Sequence, residues 1–361
     1  MKRSLALLLS FVVALGLIPR ASARTTITVW SWSDGIGQTI VDTARQFNAE
    51  HQDIEVNVEL QPFDGYFDKI RMAQAGNVAP ELVRGGHLDL SDPYPDGFYK
   101  PTLIEWMKAQ RIGVFKDILL DSTMTRDGQV YAIPWTLWTT EMFYNKDLFA
   151  AAGLSEADVP KTWDDLLQVT KKLTKRNSDD TIIQAGLVFE AGAFTEVFLP
   201  QIMPDFYRTG DRKVNLVGTE AEKAYSYVAE LVERNLVPWP GNLWEMFPNQ
   251  TAAMTFVGSW YVQQAPNWRF NWGAAAPPKP SPNAAAGKVQ VATDWRFSKG
   301  LSETKRQAAA EFLRYLLSEG PSVRLAVDTG LLPSQLEYYR NRDMRSNPVL
   351  LTAGEMVDNA F

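Results

Sequence analysis

From position 26 onward the sequence alternates between strand and helix patterns, and this limits the fold more than any other feature. Residues 26–30 alternate β-branched and polar side chains, and residues 40–47 carry apolar side chains at helical spacing. Residues 54–60 alternate again, and residues 63–74 return to helical spacing. Strand and helix in this order predict an α/β fold with a parallel or mixed sheet.

The amino terminus has the pattern of an export signal. Lys2 and Arg3 precede an apolar run from Leu5 to Ile18, and Ala21-Ser22-Ala23 is a small-residue cleavage site. The run is 14 residues long, whereas a helix that crosses a bilayer needs about 20. The sequence therefore predicts a signal peptide at residues 1–23 and a periplasmic location. The chain contains no cysteine, so we expect neither disulfides nor a lipid anchor.

Length and charge bound the number of domains and the partners. Cleavage after Ala23 leaves 338 residues, more than one hydrophobic core usually serves, so we expect two domains. It removes 3 of the 36 basic residues and none of the 42 acidic ones, so 33 minus 42 gives a net charge of −9. An acidic chain is a poor partner for nucleic acid. We expect a monomer.

Two later regions bear on the path of the chain between domains. Residues 85–100 are rich in Gly, Asp and Pro and predict a loop. Residues 129–134 predict a short strand that ends at Pro134, and residues 140–145 predict a second strand that leads into a helix. We interpret this region as the first crossing between the domains.

Two helices carry the pattern of a capping box at their start. Thr162 precedes Asp165 at the required spacing, and Thr219 precedes Glu222 in the same relation. In such a box each side chain satisfies a backbone amide that the first helical turn leaves without a partner. Both positions are therefore predicted helix starts.

Five segments of the chain occur in the order and spacing of one protein family. They are the strand at 27–32 before Ala44–Asn48; Tyr131–Pro134; Tyr144–Phe149 with Ala152–Leu154 and Pro160–Trp163; Ala252–Met254 before Gly258–Trp260; and Gly330–Ser334. Together they resemble the family 1 extracellular solute-binding proteins, the sugar-binding, maltose-binding-protein-like components of ABC importers. The resemblance covers most of the chain, but Phe247–Thr251 replaces the glycine and lysine usual in the family.

The resemblance implies two α/β lobes joined by a hinge, with a cleft that closes over the solute. On this basis we expect residues 24–135 in lobe 1, with a later segment at about 260–320 returning to it. Residues 136–259 are expected in lobe 2, with part of 321–361. The chain ends at Phe361, earlier than most members of the family, which leaves open a missing carboxy-terminal helix.

The 12 tryptophans exceed what two cores need, and many follow predicted strands. Sugars present apolar faces and a rim of hydroxyl groups, so a sugar site combines aromatic faces with polar side chains. We therefore predict these ligand-binding residues: Trp32, Ser33, Asp34, Asp64, Trp135, Trp138, Trp239, Trp244, Gly258, Trp260, Trp295 and Arg296. The competing interpretation is core packing for the tryptophans, turns or helix caps for the two aspartates, and a surface ion pair for Arg296.

Other binding chemistries have weaker support in the sequence. Gly35-Ile36-Gly37 follows a strand as in a dinucleotide-binding loop, but Ile40 stands where the third glycine belongs. The aspartates of 89–96 miss the spacing of a calcium loop, and Tyr338-Tyr339 is too weak a pattern for iron. We therefore expect no metal and no cofactor.

The predicted function is capture of a sugar or sugar-like polar solute for a membrane permease of an ABC importer, without catalysis. The alternative is a secreted glycosidase or lyase, since such enzymes also combine aromatic faces with carboxylates. No motif favours the enzyme. The two histidines, His51 and His87, lie 36 positions apart, and no Gly-x-Ser-x-Gly motif is present.

Overall fold

The computed structural model describes residues 24–86, 98–109, 125–126, 129–204, 216–217, 219–239 and 241–360. The strands are β1 Thr25–Trp32, β2 Ile54–Gln61, β3 Leu82–Gly86, β4 Phe98–Tyr99, β5 Thr125–Arg126, β6 Gln129–Val130, β7 Ile133–Asn145, β8 Lys175–Arg176, β9 Ile182–Gln184, β10 Met254–Gly258, β11 Trp272–Ala275, β12 Val289–Phe297 and β13 Leu332–Pro333.

The α-helices are α1 Gly35–Glu50, α2 Tyr66–Ala75, α3 Lys100–Ala109, α4 Lys146–Ala151, α5 Trp163–Leu173, α6 Leu199–Ile202, α7 Ala221–Glu233, α8 Leu243–Met246, α9 Glu303–Leu316, α10 Glu319–Thr329, α11 Arg342–Ser346 and α12 Pro348–Ala360. In the described ranges, 3₁₀ segments lie at Glu156–Asp158, Ser259–Asn267 and Leu336–Arg340, and a π-helical turn lies at Phe194–Phe198. Among the described residues, no helix is both long and apolar enough to cross a membrane.

One mixed sheet connects most of the described strands. Its order is β10-β7-β12-β3-β1-β2, and β11 and β13 also pair with β7. β1 is parallel to both β2 and β3, whereas β12 is antiparallel to β3 and to β7. The strand and helix alternation at the start of the chain therefore builds the sheet that the sequence predicts.

β7 is a single strand of 13 residues, so the prediction that a strand ends at Pro134 is wrong. Pro134 pairs with Asp294 of β12 beside a shift in register. An irregular ladder tolerates a residue that has no amide hydrogen to donate. The first half of β7 pairs with β12 and β13, and its second half pairs with β10 and β11.

Buried apolar side chains form separate cores around the two halves of β7. The first core combines residues between Ile27 and Leu137 with residues between Val291 and Val357. A second core lies between Met142 and Phe256. The chain thus builds one core, leaves it along β7 to build another, and then returns to the first.

Local predictions agree with the structure unevenly. Thr162 and Asp165 form the predicted capping box at the start of α5. The second predicted box is wrong, because α7 begins after Glu220 and the Thr219 hydroxyl accepts from the Ala221 amide at 3.3 Å rather than from the amide of Glu222. The predicted loop at 85–100 is also wrong at its ends, which lie in β3, β4 and α3. Residues 87–97 and the predicted signal peptide lie outside the described residues.

Candidate functional site

Three strands bring the candidate residues to one edge of the sheet. Thr293 in β12 lies opposite both Gly86, the last residue of β3, and Thr136 in β7. Because β12 is antiparallel to both β3 and β7, these two strands run in the same direction, and Trp138, two residues after Thr136, lies beyond the carboxyl end of β3. Trp32 ends the neighbouring parallel strand β1. Ligands of open α/β sheets bind at this edge.

The turn between β1 and α1 is held by a buried arginine. Asp34 caps α1 by accepting from the Gly37 amide at 2.6 Å, and it also forms two hydrogen bonds with Arg84, at 2.8 and 3.0 Å. Arg84 is 1% exposed. Burial lowers the pKa of the Arg84 guanidinium, and the carboxylate of Asp34 opposes that shift. Asp34 is therefore both a helix cap and an ion-pair partner.

An aromatic group covers this turn. The ring of Trp32 lies 3.6 Å from the guanidinium carbon of Arg84, a cation–π contact, and it meets Phe63 edge-on at 5.6 Å. Phe63 is 51% exposed, and its neighbour Asp64 is exposed too. Ser33 is exposed, and its amide donates to a carbonyl of β2. Phe63 is not among the ligand-binding residues predicted from the sequence, although its position as an aromatic residue beside the predicted Asp64 is a usable signal.

Trp138, Trp260 and Trp244 form a stack, called here the tryptophan stack. Ring centroids are 6.0 Å apart for Trp138 and Trp260 and 5.7 Å apart for Trp260 and Trp244, with interplanar angles of 24° and 21°. A β-carbon on Gly258 would lie 2.5 Å from Trp138 Cε3 and 2.7 Å from Trp260 Cδ1. The absence of a side chain at Gly258 therefore allows the two rings to lie over β10. Trp244 is 45% exposed and closes the stack on the solvent side.

The segment that carries Trp260 also touches the first turn. A β-carbon on Gly35 would lie 2.8 Å from Oε1 of Gln263, which follows Trp260 in the same 3₁₀ segment. Trp260 packs against both the first core and the core around Tyr261. The structure therefore brings the tryptophan stack and the β1–α1 turn to neighbouring positions.

Two glutamates flank the tryptophan stack, and neither is among the ligand-binding residues predicted from the sequence. Trp244 Nε1 donates to Glu190 Oε1 at 2.8 Å, and Thr140 Oγ1 donates to Glu196 Oε2 at 3.0 Å. Thr140 lies opposite Gly258 and two residues from Trp138, so its side chain shares their face of the sheet. No local pattern in the sequence marks these glutamates.

The environment of Glu196 raises the pKa of its carboxyl group. Burial raises the pKa of Glu196; the bond from Thr140 and the charge of Lys288 lower it, and the charge of Glu190 raises it again. Glu196 lies in the π-helical turn, a distortion that is frequent at functional sites. Glu190 and Glu196 are thus close enough to interact electrostatically.

The other predicted residues lie in two different environments. Trp135 and Trp295 are 1% and 0% exposed and pack against each other in the first core, with ring centroids 5.1 Å apart. Arg296 is 1% exposed and forms a bidentate pair with Asp294, at 2.6 and 3.1 Å. Trp239 is 51% exposed and packs on the buried Phe189. In this conformation only Trp239 of these four offers a surface to a solute.

A model of the bacterial extracellular solute-binding protein family matches residues 42–352, most of the chain. The protein therefore belongs to that family, as the order of its sequence segments predicts. It resembles the sn-glycerol-3-phosphate-binding periplasmic protein UgpB of Shigella flexneri, with 27% identity over 177 residues, 45% of this chain. The match spans only 39% of the length of that relative.

Solved structures of similar fold are sugar-binding proteins by name. The sugar-binding protein MalE of Xanthomonas citri matches with a TM-score of 0.76 and 21% identity, over 92% of this chain and 85% of its own. The cyclic alpha-maltosyl-1,6-maltose binding protein of Arthrobacter globiformis matches with a TM-score of 0.71 and 22% identity, over 93% and 88%. The predicted fold, two α/β lobes with a hinge and a cleft between them, is confirmed.

Proposed function

We propose that this protein captures a sugar or sugar-like polar solute between its lobes and passes it, chemically unaltered, to the permease of an ABC importer. The observation that carries the proposal is the tryptophan stack flanked by Glu190 and Glu196. Aromatic faces stack on the apolar faces of a sugar ring, and carboxylates accept hydrogen bonds from its hydroxyl groups. The name of the MalE neighbour supports a sugar, and the UgpB relative is named for another small polar compound, sn-glycerol 3-phosphate.

Both lobes contribute to the proposed site. Trp32, Phe63 and Asp64 supply the side from lobe 1, at 24–135, and Trp239 and Trp244 supply the side from lobe 2, at 136–259. The core assignments of the described residues support this division, with the chain after 290 returning to lobe 1. The buried Trp135, Trp295 and Arg296 support the site from below rather than touching the solute.

Closure of the lobes is the proposed signal to the importer. A solute that contacts both lobes favours the closed state, because it makes more contacts there than in the open state. Residues 1–23 direct the chain to the periplasm, where it acts as a monomer.

A thermal-shift screen of sugars and polyols, followed by calorimetry, tests the proposal. With the solute so identified, Trp260→Ala and Asp64→Ala should each weaken binding at least tenfold while the protein stays folded. Trp106→Ala is the control, because Trp106 packs edge-on against Phe297 away from the stack, so it should lower stability and leave affinity unchanged. Unchanged affinity in both site variants would contradict the assignment of these residues.

The same solute distinguishes capture from catalysis. After incubation with a stoichiometric amount of protein, chromatography should recover the solute unaltered. A product that accumulates with time would instead favour the glycosidase or lyase.

A further inference from the structure

The carboxylates beside the tryptophan stack give the site an excess of acceptors. Glu190 is exposed and holds Trp244 through one oxygen, and Glu196 holds Thr140 through one oxygen. An ionised carboxylate accepts hydrogen bonds and donates none. The negative charge of Glu190 contributes to raising the pKa of Glu196, so the two groups already repel each other. A third negative group placed between them would add to that repulsion.

Two cations near the site, Arg84 and Lys288, each face a carboxylate. Arg84 is paired with Asp34 through two hydrogen bonds. Lys288 interacts with Glu196, and burial lowers the pKa of Lys288. Asp64 is an exposed acid on the side of lobe 1. An incoming phosphate would therefore compete with acids that already hold these two cations.

From this arrangement we infer that the site selects an uncharged polyhydroxylated solute and rejects phosphoesters. The inference rests on the proposed function and narrows its solute class. A phosphate about 5 Å from one carboxylate loses on the order of a hundredfold in affinity at the effective dielectric of a protein surface. Neutral hydroxyl groups instead donate to both carboxylates. The selectivity differs from that in the name of the UgpB relatives, which refers to sn-glycerol 3-phosphate.

Matched pairs of compounds that differ by one phosphate test the inference. The pairs are glucose and glucose 6-phosphate, trehalose and trehalose 6-phosphate, and glycerol and sn-glycerol 3-phosphate. Maltose and maltotriose complete a thermal-shift screen at pH 7.5, and calorimetry follows for each compound that stabilises the protein. The expected result is binding of a neutral sugar, with competition by phosphorylated compounds at least a hundredfold weaker. A phosphoester that binds as tightly as its neutral partner overturns the inference and leaves the proposed function standing. No response to any compound counts against both.

Charge variants show whether the glutamates cause the selectivity. In Glu190→Gln the affinity for the neutral sugar divided by that for its phosphoester should fall by roughly a hundredfold, because the repulsion from one carboxylate is removed. Glu233→Gln is the matched control, since Glu233 lies exposed at the end of α7 in the same lobe. A ratio that stays the same in Glu190→Gln overturns the inference.

Discussion

Replacing Gly258 by alanine tests whether the tryptophan stack is the binding surface. Gly258 has φ −60° and ψ 150°, a conformation that any residue adopts, so the variant adds no backbone strain. The added carbon would lie 2.5 Å from Trp138 Cε3 and 2.7 Å from Trp260 Cδ1. Trp260 Nε1 would lie closer still. Favourable contacts lie near 3.5–4.0 Å, so the rings must move by at least about 1 Å.

The expected energies follow from that displacement. Overpacking costs about 1–3 kcal/mol, whereas the loss of glycine freedom in the unfolded chain returns about 0.4–1 kcal/mol. We therefore expect a net destabilisation of about 1–2 kcal/mol. A sugar ring that stacks on displaced indoles loses its alignment, and aromatic contacts contribute about 0.5–1.5 kcal/mol each beyond buried area. Two misaligned rings correspond to roughly tenfold weaker binding.

Calorimetry with the solute from the screen measures the affinity, and tryptophan fluorescence reports whether the rings have moved. Gly320→Ala is the matched control, because a β-carbon there meets no atom within 4 Å. It should leave both affinity and fluorescence unchanged. If Gly258→Ala alters the fluorescence but binds the solute as tightly as wild type, the stack is not the binding surface and the reasoning is refuted.

Three further predictions concern the ion pair, a buried acid and closure. Arg84→Met leaves the Asp34 carboxylate without its ion-pair partner, and urea denaturation should show a free energy of unfolding that is about 3 kcal/mol lower. This value is near the lower end for broken buried ion pairs, because Asp34 is partly exposed. Burial raises the pKa of Glu141 well above its usual 4.5 in the folded protein. The free energy of unfolding of the wild type should therefore fall as the pH rises from 4.5 to the raised pKa, because in this range the unfolded chain ionises Glu141 and the folded protein does not. Glu141→Gln should remove this fall in stability with pH. If the wild type and Glu141→Gln each melt at the same temperature at pH 5 and pH 8, the prediction is contradicted. X-ray scattering should show a smaller radius of gyration at saturating solute; an unchanged radius would argue against closure.

The sheet is predictable from the sequence where its signals are local. The alternation at 54–60 and the helical spacing at 40–47 depend on neighbouring residues, and both elements are present. β7 is different, because its length depends on pairing with strands more than a hundred positions away. The proline in its second position is tolerated only because β12 shifts register opposite it. Such compensation is not visible in the local sequence.

The residues of the candidate site differ in how far the sequence alone indicates their positions. Trp135 and Trp138 are three positions apart on one strand, so they point to opposite faces, and only one can join the tryptophan stack. Trp135 points to the first core, where it meets Trp295. Strand periodicity separates these two tryptophans only once β7 is known to continue past Pro134. Glu190 and Glu196 reach the site through a loop and a π-helical turn, whose geometry no periodic pattern reports.

The register between β7 and β10 links the strand pattern to the proposed chemistry. Gly258 lies opposite Thr140. This pairing places a residue that has no side chain next to the Thr140 hydroxyl, which donates to Glu196. A slip by one residue would bring Val257 or Ser259 opposite Thr140 and turn the alternate side chains to the other face. The rings of Trp138 and Trp260 would then lose the gap over which they stack. The position of one glycine in the ladder therefore determines whether aromatic faces and carboxylates meet in a single site.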